Sequence, residues 1–133
     1  MTGKSVKSML IHGPRVVQTV NRTAVDITSE AEITSVTALT VPRAGRYSVV
    51  IAASCNATAA GCILTIRVEY VTSGTTYEVY YDDDVDVSGG ASEVHKSSKD
   101  FDVHADGTVK AYITSDDAGD NSESITAMLV MVS

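Results

Sequence analysis

A chain of 133 residues is one domain's worth of material, able to bury roughly two thirds of its unfolded surface without metal or disulfide staples. Its 19 Val, 15 Thr and 8 Ile against 4 Leu suit a pleated sheet, which excludes a helical bundle or coiled coil and disfavours a doubly wound α/β fold. The net charge of −7 argues against free binding of nucleic acid, because phosphate contacts need a basic surface.

Residues 1–13 stand apart as an N-terminal arm, in which Lys4 and Lys7 precede Met9-Leu10-Ile11 and then His12-Gly13-Pro14. That apolar triplet is too short for the core of a secretion signal, and no stretch reaches the length of a transmembrane helix. The expectation is assembly in a cytoplasm, with no membrane partner. Residues 14–133 read as a single β domain. Strands are expected over 15–20, 24–28 and 33–41, closed by the turn residues Pro42-Arg43-Ala44-Gly45.

The segment 46–55 places Tyr47, Val49, Ile51 and Ala53 on one face, and 62–71 does the same with Leu64, Ile66, Val68 and Tyr70. Period-two alternation of this kind marks strands with one dry side. By the same parity Cys55 and Cys62 belong to the apolar faces. If the two strands pair as a hairpin, both sulfurs point into the core at the same end. A disulfide is then geometrically allowed, and a buried thiol pair is the reading that a reducing compartment favours. Two cysteines alone cannot close a zinc site.

Further strands are expected over 76–81 and 93–105, separated by Ser88-Gly89-Gly90, with Asp106-Gly107 as a hairpin turn into a strand carrying Val109, Ala111 and Ile113. Tyr77 and Tyr81 share a parity with Val79, so core packing accounts for them and leaves Tyr80 outside. The last strand, 125–132, differs from the rest. Ile125, Ala127, Leu129 and Met131 form one apolar face, but Met128, Val130 and Val132 make the other apolar too. A strand that is dry on both faces must be covered on both. The second cover is either a neighbouring subunit or the chain's own N-terminal segment. Eight or nine short strands without a helix imply an antiparallel two-sheet sandwich.

Charge is unevenly spread along this pattern. Residues 1–46 carry a balance of +3 and residues 47–133 a balance of −10. Acidic runs at 82–86 and 116–121 offer hard oxygen ligands of the kind calcium takes, though without the spacing of an EF-hand; solvated loops are the alternative. His12, His95 and His104 are scattered, with no nucleophile in a recognisable motif near them and no phosphate-cradling loop, so neither an enzyme nor a cofactor is expected.

The segment Leu39-Thr-Val-Pro-Arg-Ala-Gly-Arg-Tyr-Ser-Val-Val50, with Pro42, Gly45 and Tyr47, resembles a recurrent element of trimeric jelly rolls. These are the tumour necrosis factor and complement globular-head class, and the bacteriophage virion proteins built like them. The stretch Ala105-Asp-Gly-Thr-Val-Lys-Ala-Tyr112 and the apolar terminal strand are similar to the same class, so that the resemblance spans about residues 33–133. It implies an all-β jelly roll that trimerises about its axis. Small residues, short loops and the absence of a shaft fit a capsid decoration (cement) protein on the virion surface, with itself and the major capsid protein as partners. The arm residues Lys4, Lys7, Met9, Leu10 and Ile11, together with Arg15, would contact the capsid, and Met128, Val130 and Val132 would form the subunit interface. A receptor- or carbohydrate-binding head of a tail fibre or baseplate is the alternative, with the cluster Tyr77, Tyr80 and Tyr81 as its sugar-stacking feature.

Overall fold

A computed structural model describes residues 15–54, 62–87, 94–116, 121–122 and 125–132, with side chains apart from those of 54, 87, 94–98 and 121–122. The arm 1–13 and the loop residues 117–120 lie outside the described residues. Among the described residues, eleven strands and one short 3-10 turn follow in chain order. They are β1 (Arg15–Arg22), β2 (Val25–Asp26), β3 (Ala31–Glu32), the turn Ile33–Ser35, β4 (Leu39–Val41) and β5 (Gly45–Ser54). After these come β6 (Cys62–Thr72), β7 (Thr75–Val87), β8 (Val94–Val103), β9 (Gly107–Ser115), β10 (Asn121–Ser122) and β11 (Ile125–Met131).

The strands form two antiparallel sheets packed face to face. One has the order β1-β11-β5-β8; the other has the order β3-β9-β6-β7, with β4 also pairing β9, and β10 pairs β2 as a small ribbon. The chain passes from one sheet to the other after β5, after β7 and after β8, in the manner of a jelly roll. The alternating pattern predicts the two-sheet sandwich, and the resemblance implies this winding.

Alternation is cleanest in β6, where every second residue from Cys62 to Thr72 is buried. β9 and β11 behave the same way. Tyr47, Ile51, Leu64, Ile66, Ile113, Ile125 and Leu129 meet in the middle with 1% exposure or less. Each such aliphatic side chain contributes about 1.5–3 kcal/mol of transfer free energy. Tyr47 keeps a polar end in this core by donating its hydroxyl to the Arg43 carbonyl at 2.8 Å, which ties the 42–45 turn to the strand it introduces.

Two expected hairpins are absent. β5 pairs with β11 and β8, while β6 pairs with β7 and β9, so the link between them crosses from one sheet to the other. Cys62 is still buried, and it is disulfide-bonded; Cys55, the chain's other cysteine, lies outside the described residues. Asp106-Gly107 also crosses between sheets, because β8 and β9 do not pair. Tyr70 and Thr72 donate their hydroxyls to the carbonyls of Ala105 and Asp106, each at 2.8 Å, and clamp the crossing. Glycine is needed at 107 for close approach rather than for a turn, since a Cβ there would strike the Val71 carbonyl and lie 2.8 Å from the Tyr70 ring. The true tight hairpin joins β6 to β7 through Ser73 and Gly74, at φ +48° and +78°, the doubly left-handed turn that matches strand twist.

The expected strand 33–41 is broken as well. Thr34 donates its hydroxyl to Glu32 Oε1 and accepts from the Ala111 amide, both at 3.3 Å, and this local bonding replaces a ladder with a 3-10 turn that drops Ile33 into the core.

These two glycines give a direct test. Gly107→Ala should destabilise the fold by about 2 kcal/mol or more through backbone collision, whereas Gly74→Ala, which meets open space, should cost only about 1 kcal/mol for its positive φ. Urea unfolding of the two variants checks the order.

Candidate interaction surfaces

With the core faces paired, each sheet has an outer face, and the two differ in chemistry. On the four-stranded sheet the outward positions of β1, β11 and β5 line up in register. Val16 lies opposite Val130, which lies opposite Ser48; Thr19, Met128 and Val50 form a second row, and Asn21, Thr126 and Ala52 a third. None of these nine side chains is charged. Val16 is 54% exposed, Met128, Val130 and Val132 are half-buried, and Ser48 is buried. In these three rows the outer face of β11 is therefore flanked on both sides by uncharged side chains. Charge returns at the rim, where Arg46 reaches Asp100 at 3.8 Å and Asp102 at 3.5 Å.

The outer face of the other sheet is ionic. Arg67 projects from the centre of β6 and grips Glu30 with both Nη2 (2.7 Å) and Nε (3.3 Å), while its Nη1 donates to Glu69 at 2.6 Å. Its guanidinium lies 4.1 Å from the centroid of the Tyr112 ring. The hydrogen bond to Glu30 holds Arg67 protonated beyond its ordinary range, and burial pushes the Tyr112 phenol up. Here charge is consumed within the chain.

At the open edge between β7 and β8, Tyr70, Tyr77, Val79, Asp102 and His104 line a cleft of about 330 Å³. The Tyr70 and Tyr77 rings stack at 5.9 Å and 21°, and the His104 ring stands edge-on to both at 86°. Tyr77 is 44% and Tyr81 52% exposed, while Tyr80 packs against the core. This reverses the expectation for Tyr80 and Tyr81, whereas Tyr77 keeps the inner side, stacked on buried Tyr70, but stays exposed at the open edge. Register slips between Val68 and Glu69, which pair with Tyr80 and Glu78, so Val79 is the extra residue of a bulge and the parity flips across it.

Arg15 is not part of a free arm but opens β1, opposite Met131. Its Nη2 lies 3.8 Å from the Met131 sulfur, and the Nη2 of Arg43 lies 3.4 Å from the same atom. Lys4, Lys7, Met9, Leu10, Ile11 and His12 lie outside the described residues, as does the side chain of His95. The run 82–86 sits within β7 rather than on a loop, and Asp82 spends one oxygen on the Asp84 amide at 3.0 Å. Among the described residues no group of three or more His, Cys, Asp or Glu could hold a metal. Sequence reasoning missed the Arg67 cluster because Glu30 is 37 residues away and reaches it only once β3 joins the sheet beside β9. The approach of Arg15 to Arg43 was hidden for the same reason.

No protein-family model matches the sequence, and no curated protein does. Among solved structures the chain is similar to one from infectious bursal disease virus, Gt strain, with TM-score 0.50 and 13% identity over 90% of this chain and 33% of that one. T=1 particles derived from the same virus give TM-score 0.50 and 11% identity over 87% of this chain and 31% of that one. The chain thus spans about a third of the length of these structures. A family 35 carbohydrate-binding module from Clostridium thermocellum aligns at TM-score 0.45 and 15% identity, over 91% of this chain and 99% of the module. At these identities the likeness is one of fold.

Removing the centre of the ionic face should be measurable. Arg67→Met should lower the unfolding free energy by about 1 kcal/mol at low salt. The difference from the parent should shrink in molar salt, because the lost pairs are partly exposed to screening. Parallel urea titrations at the two ionic strengths read both effects.

Proposed function

We propose that this chain is a non-enzymatic structural protein of a bacteriophage virion, a homotrimer that decorates and stabilises the outside of the shell. The observation that carries this reading is the uncharged patch across β1, β11 and β5 on the outer face of the four-stranded sheet. Three strands side by side line up nine outward positions of Val, Met, Ala, Thr, Ser and Asn before charge returns at Arg46 and on β8, in a chain whose other outer face is ionic. Contiguous surface without charge on a protein of net charge −7 is what a self-associating face requires. Packing three copies through Met128, Val130 and Val132 supplies the second cover that β11 lacks.

A trimer of this kind acts mechanically. Seated over a junction of major capsid protein subunits, it adds buried area that expansion or rupture of the shell must expose, and mass action makes the decorated shell the more stable form. Threefold symmetry in the decoration matches local threefold positions on a shell. The fold likeness to a virus structure agrees with a place in a virion. No nucleic acid, membrane or cofactor enters this reading.

Sedimentation equilibrium tests it. The parent should sediment at three times the chain mass, and Val130→Asp should give a folded monomer with an unchanged circular dichroism spectrum. A parent that stays monomeric at 100 µM, as roughly the top of the useful range, would remove the basis of the proposal.

One observation favours a second reading, a carbohydrate-binding head. The cleft beside Tyr77 combines an exposed aromatic ring with a carboxylate and an imidazole, the groups that stack on sugar rings and bond their hydroxyls. A glycan array discriminates. Binding to a defined saccharide that Tyr77→Ala abolishes would favour the head, and an empty array favours decoration.

A further inference from the structure

All five arginines of the chain lie among the described residues, and three are anchored to oxygen acceptors. Arg22 donates to the Glu32 carbonyl and the Ser35 hydroxyl, Arg46 pairs with Asp100 and Asp102, and Arg67 pairs with Glu30 and Glu69. Among the described residues Arg15 and Arg43 have no such partner. Both direct an Nη2 at the sulfur of Met131, a neutral and weak acceptor, at 3.8 and 3.4 Å. Of the carboxylates at this end, Asp100 and Asp102 are held by Arg46, and Asp106, just before the Gly107 that pairs with Val41, makes no ion pair with either arginine among the described residues. Two like charges therefore converge on one uncharged atom in a chain that has 17 acidic side chains to offer.

Their position in the fold is equally specific. Arg15 opens β1, Met131 closes β11, and Arg43 lies in the turn that leads into β5; the register Arg15–Met131–Tyr47 sets all three at one end of the sandwich. The acidic residues Asp26, Asp82, Asp83, Asp84, Asp86 and Asp116 gather at the opposite end, around the end of β7 and the start of β6. The molecule is charged unequally along its strand axis.

We propose that Arg15 and Arg43 form an oxyanion site, and that its occupant is a carboxylate side chain on an acidic protein surface that this end of the sandwich docks against. Planar guanidinium forks pair with carboxylates through two N–H donors, and a single carboxylate set between two forks relieves their mutual repulsion. Charge complementarity decides the partner's chemistry, since the strongly acidic end points away from the contact. The inference names the docking end for the proposed decoration role and rests on that role for the partner's being a shell protein. Trimer mass and anion binding are read separately, so either can fail alone.

The test is an NMR titration of the five arginine Nε–Hε signals with a hexaglutamate peptide, a hexaglutamine peptide and inorganic phosphate. Arg22, Arg46 and Arg67 serve as internal references. The expected result is a saturable shift of Arg15 and Arg43 with hexaglutamate and none with hexaglutamine. Arg43→Gln should weaken the peptide by roughly tenfold, and Arg43→Lys, which keeps the charge but loses the fork, should also weaken it. Both variants alter an exposed side chain, and unchanged circular dichroism confirms that they fold. Shifts spread evenly over all five arginines, or no saturation, would overturn the site. Phosphate binding more tightly than the peptide would overturn the assignment to protein carboxylates.

Discussion

Everything in this molecule follows from one steric constraint, that successive side chains of a strand point to opposite faces. Once Leu64, Ile66, Val68 and Tyr70 are committed to the core, Thr65, Arg67 and Glu69 have no choice of side, and the same holds for Met128 and Val130 once Ala127 and Leu129 are inside. A one-residue slip would bury an ion pair and expose an aliphatic row, which makes the register as strongly specified as the core itself. The outer faces are thus by-products of the core, and their chemistry is what remains free to vary.

That freedom has been used in opposite ways on the two sheets. Around Arg67, acids and bases from β6, Glu30 ahead of β3, and the Tyr112 ring on β9 satisfy one another, so the face offers little to a partner. Partly exposed pairs of this kind add little stability individually, and their main effect is to keep a broad sheet surface soluble. On β1, β11 and β5 of the four-stranded sheet the three outward rows are uncharged, and desolvating their Val, Met and Ala members costs little. In the proposed assembly this contrast between the two outer faces sets the direction of packing. Bulges add local exceptions, as at Val79, where the slip sets Tyr77 and Tyr80 on the same inner side, Tyr77 stacked on Tyr70 and exposed at the open edge.

Much of the fold was legible in the sequence because it depends on the period-two rule. The alternating runs in 46–55, 62–71 and 125–132 located β5, β6 and β11 and placed Met128, Val130 and Val132 on the outer face. What escaped is what the rule does not carry. Strand pairing is non-local, so β5 and β6 fall in different sheets instead of pairing, and the hairpin expected at Asp106-Gly107 became a crossing between sheets; a glycine demanded by a close approach looks, in one dimension, like a glycine demanded by a turn. The polar side chain of Thr34 outbid a strand at 33–41 for its backbone partners. Parity also fails silently at a bulge, and it misassigned Tyr80 and Tyr81 of β7 for that reason. The Arg67 cluster joins residues 30, 67, 69 and 112, which no local pattern connects.

Jelly-roll winding explains why the asymmetry of charge along the sequence becomes an asymmetry in space. In this topology the start of β1, the 42–45 turn, the end of β11 and the β8–β9 crossing all fall at one end of the sandwich, while the ends of β7 and β9 and the start of β6 fall at the other. Basic residues placed early in the chain, at 15, 43 and 46, are therefore gathered together, and acids placed after β6 are sent mostly to the far end. Neither cluster helps the core, and like charges held together cost folding free energy. In the proposed role the end that carries Arg15 and Arg43 meets the acidic surface, and the uncharged patch on β1, β11 and β5, which runs along the strand axis, is left to pack against copies standing beside it.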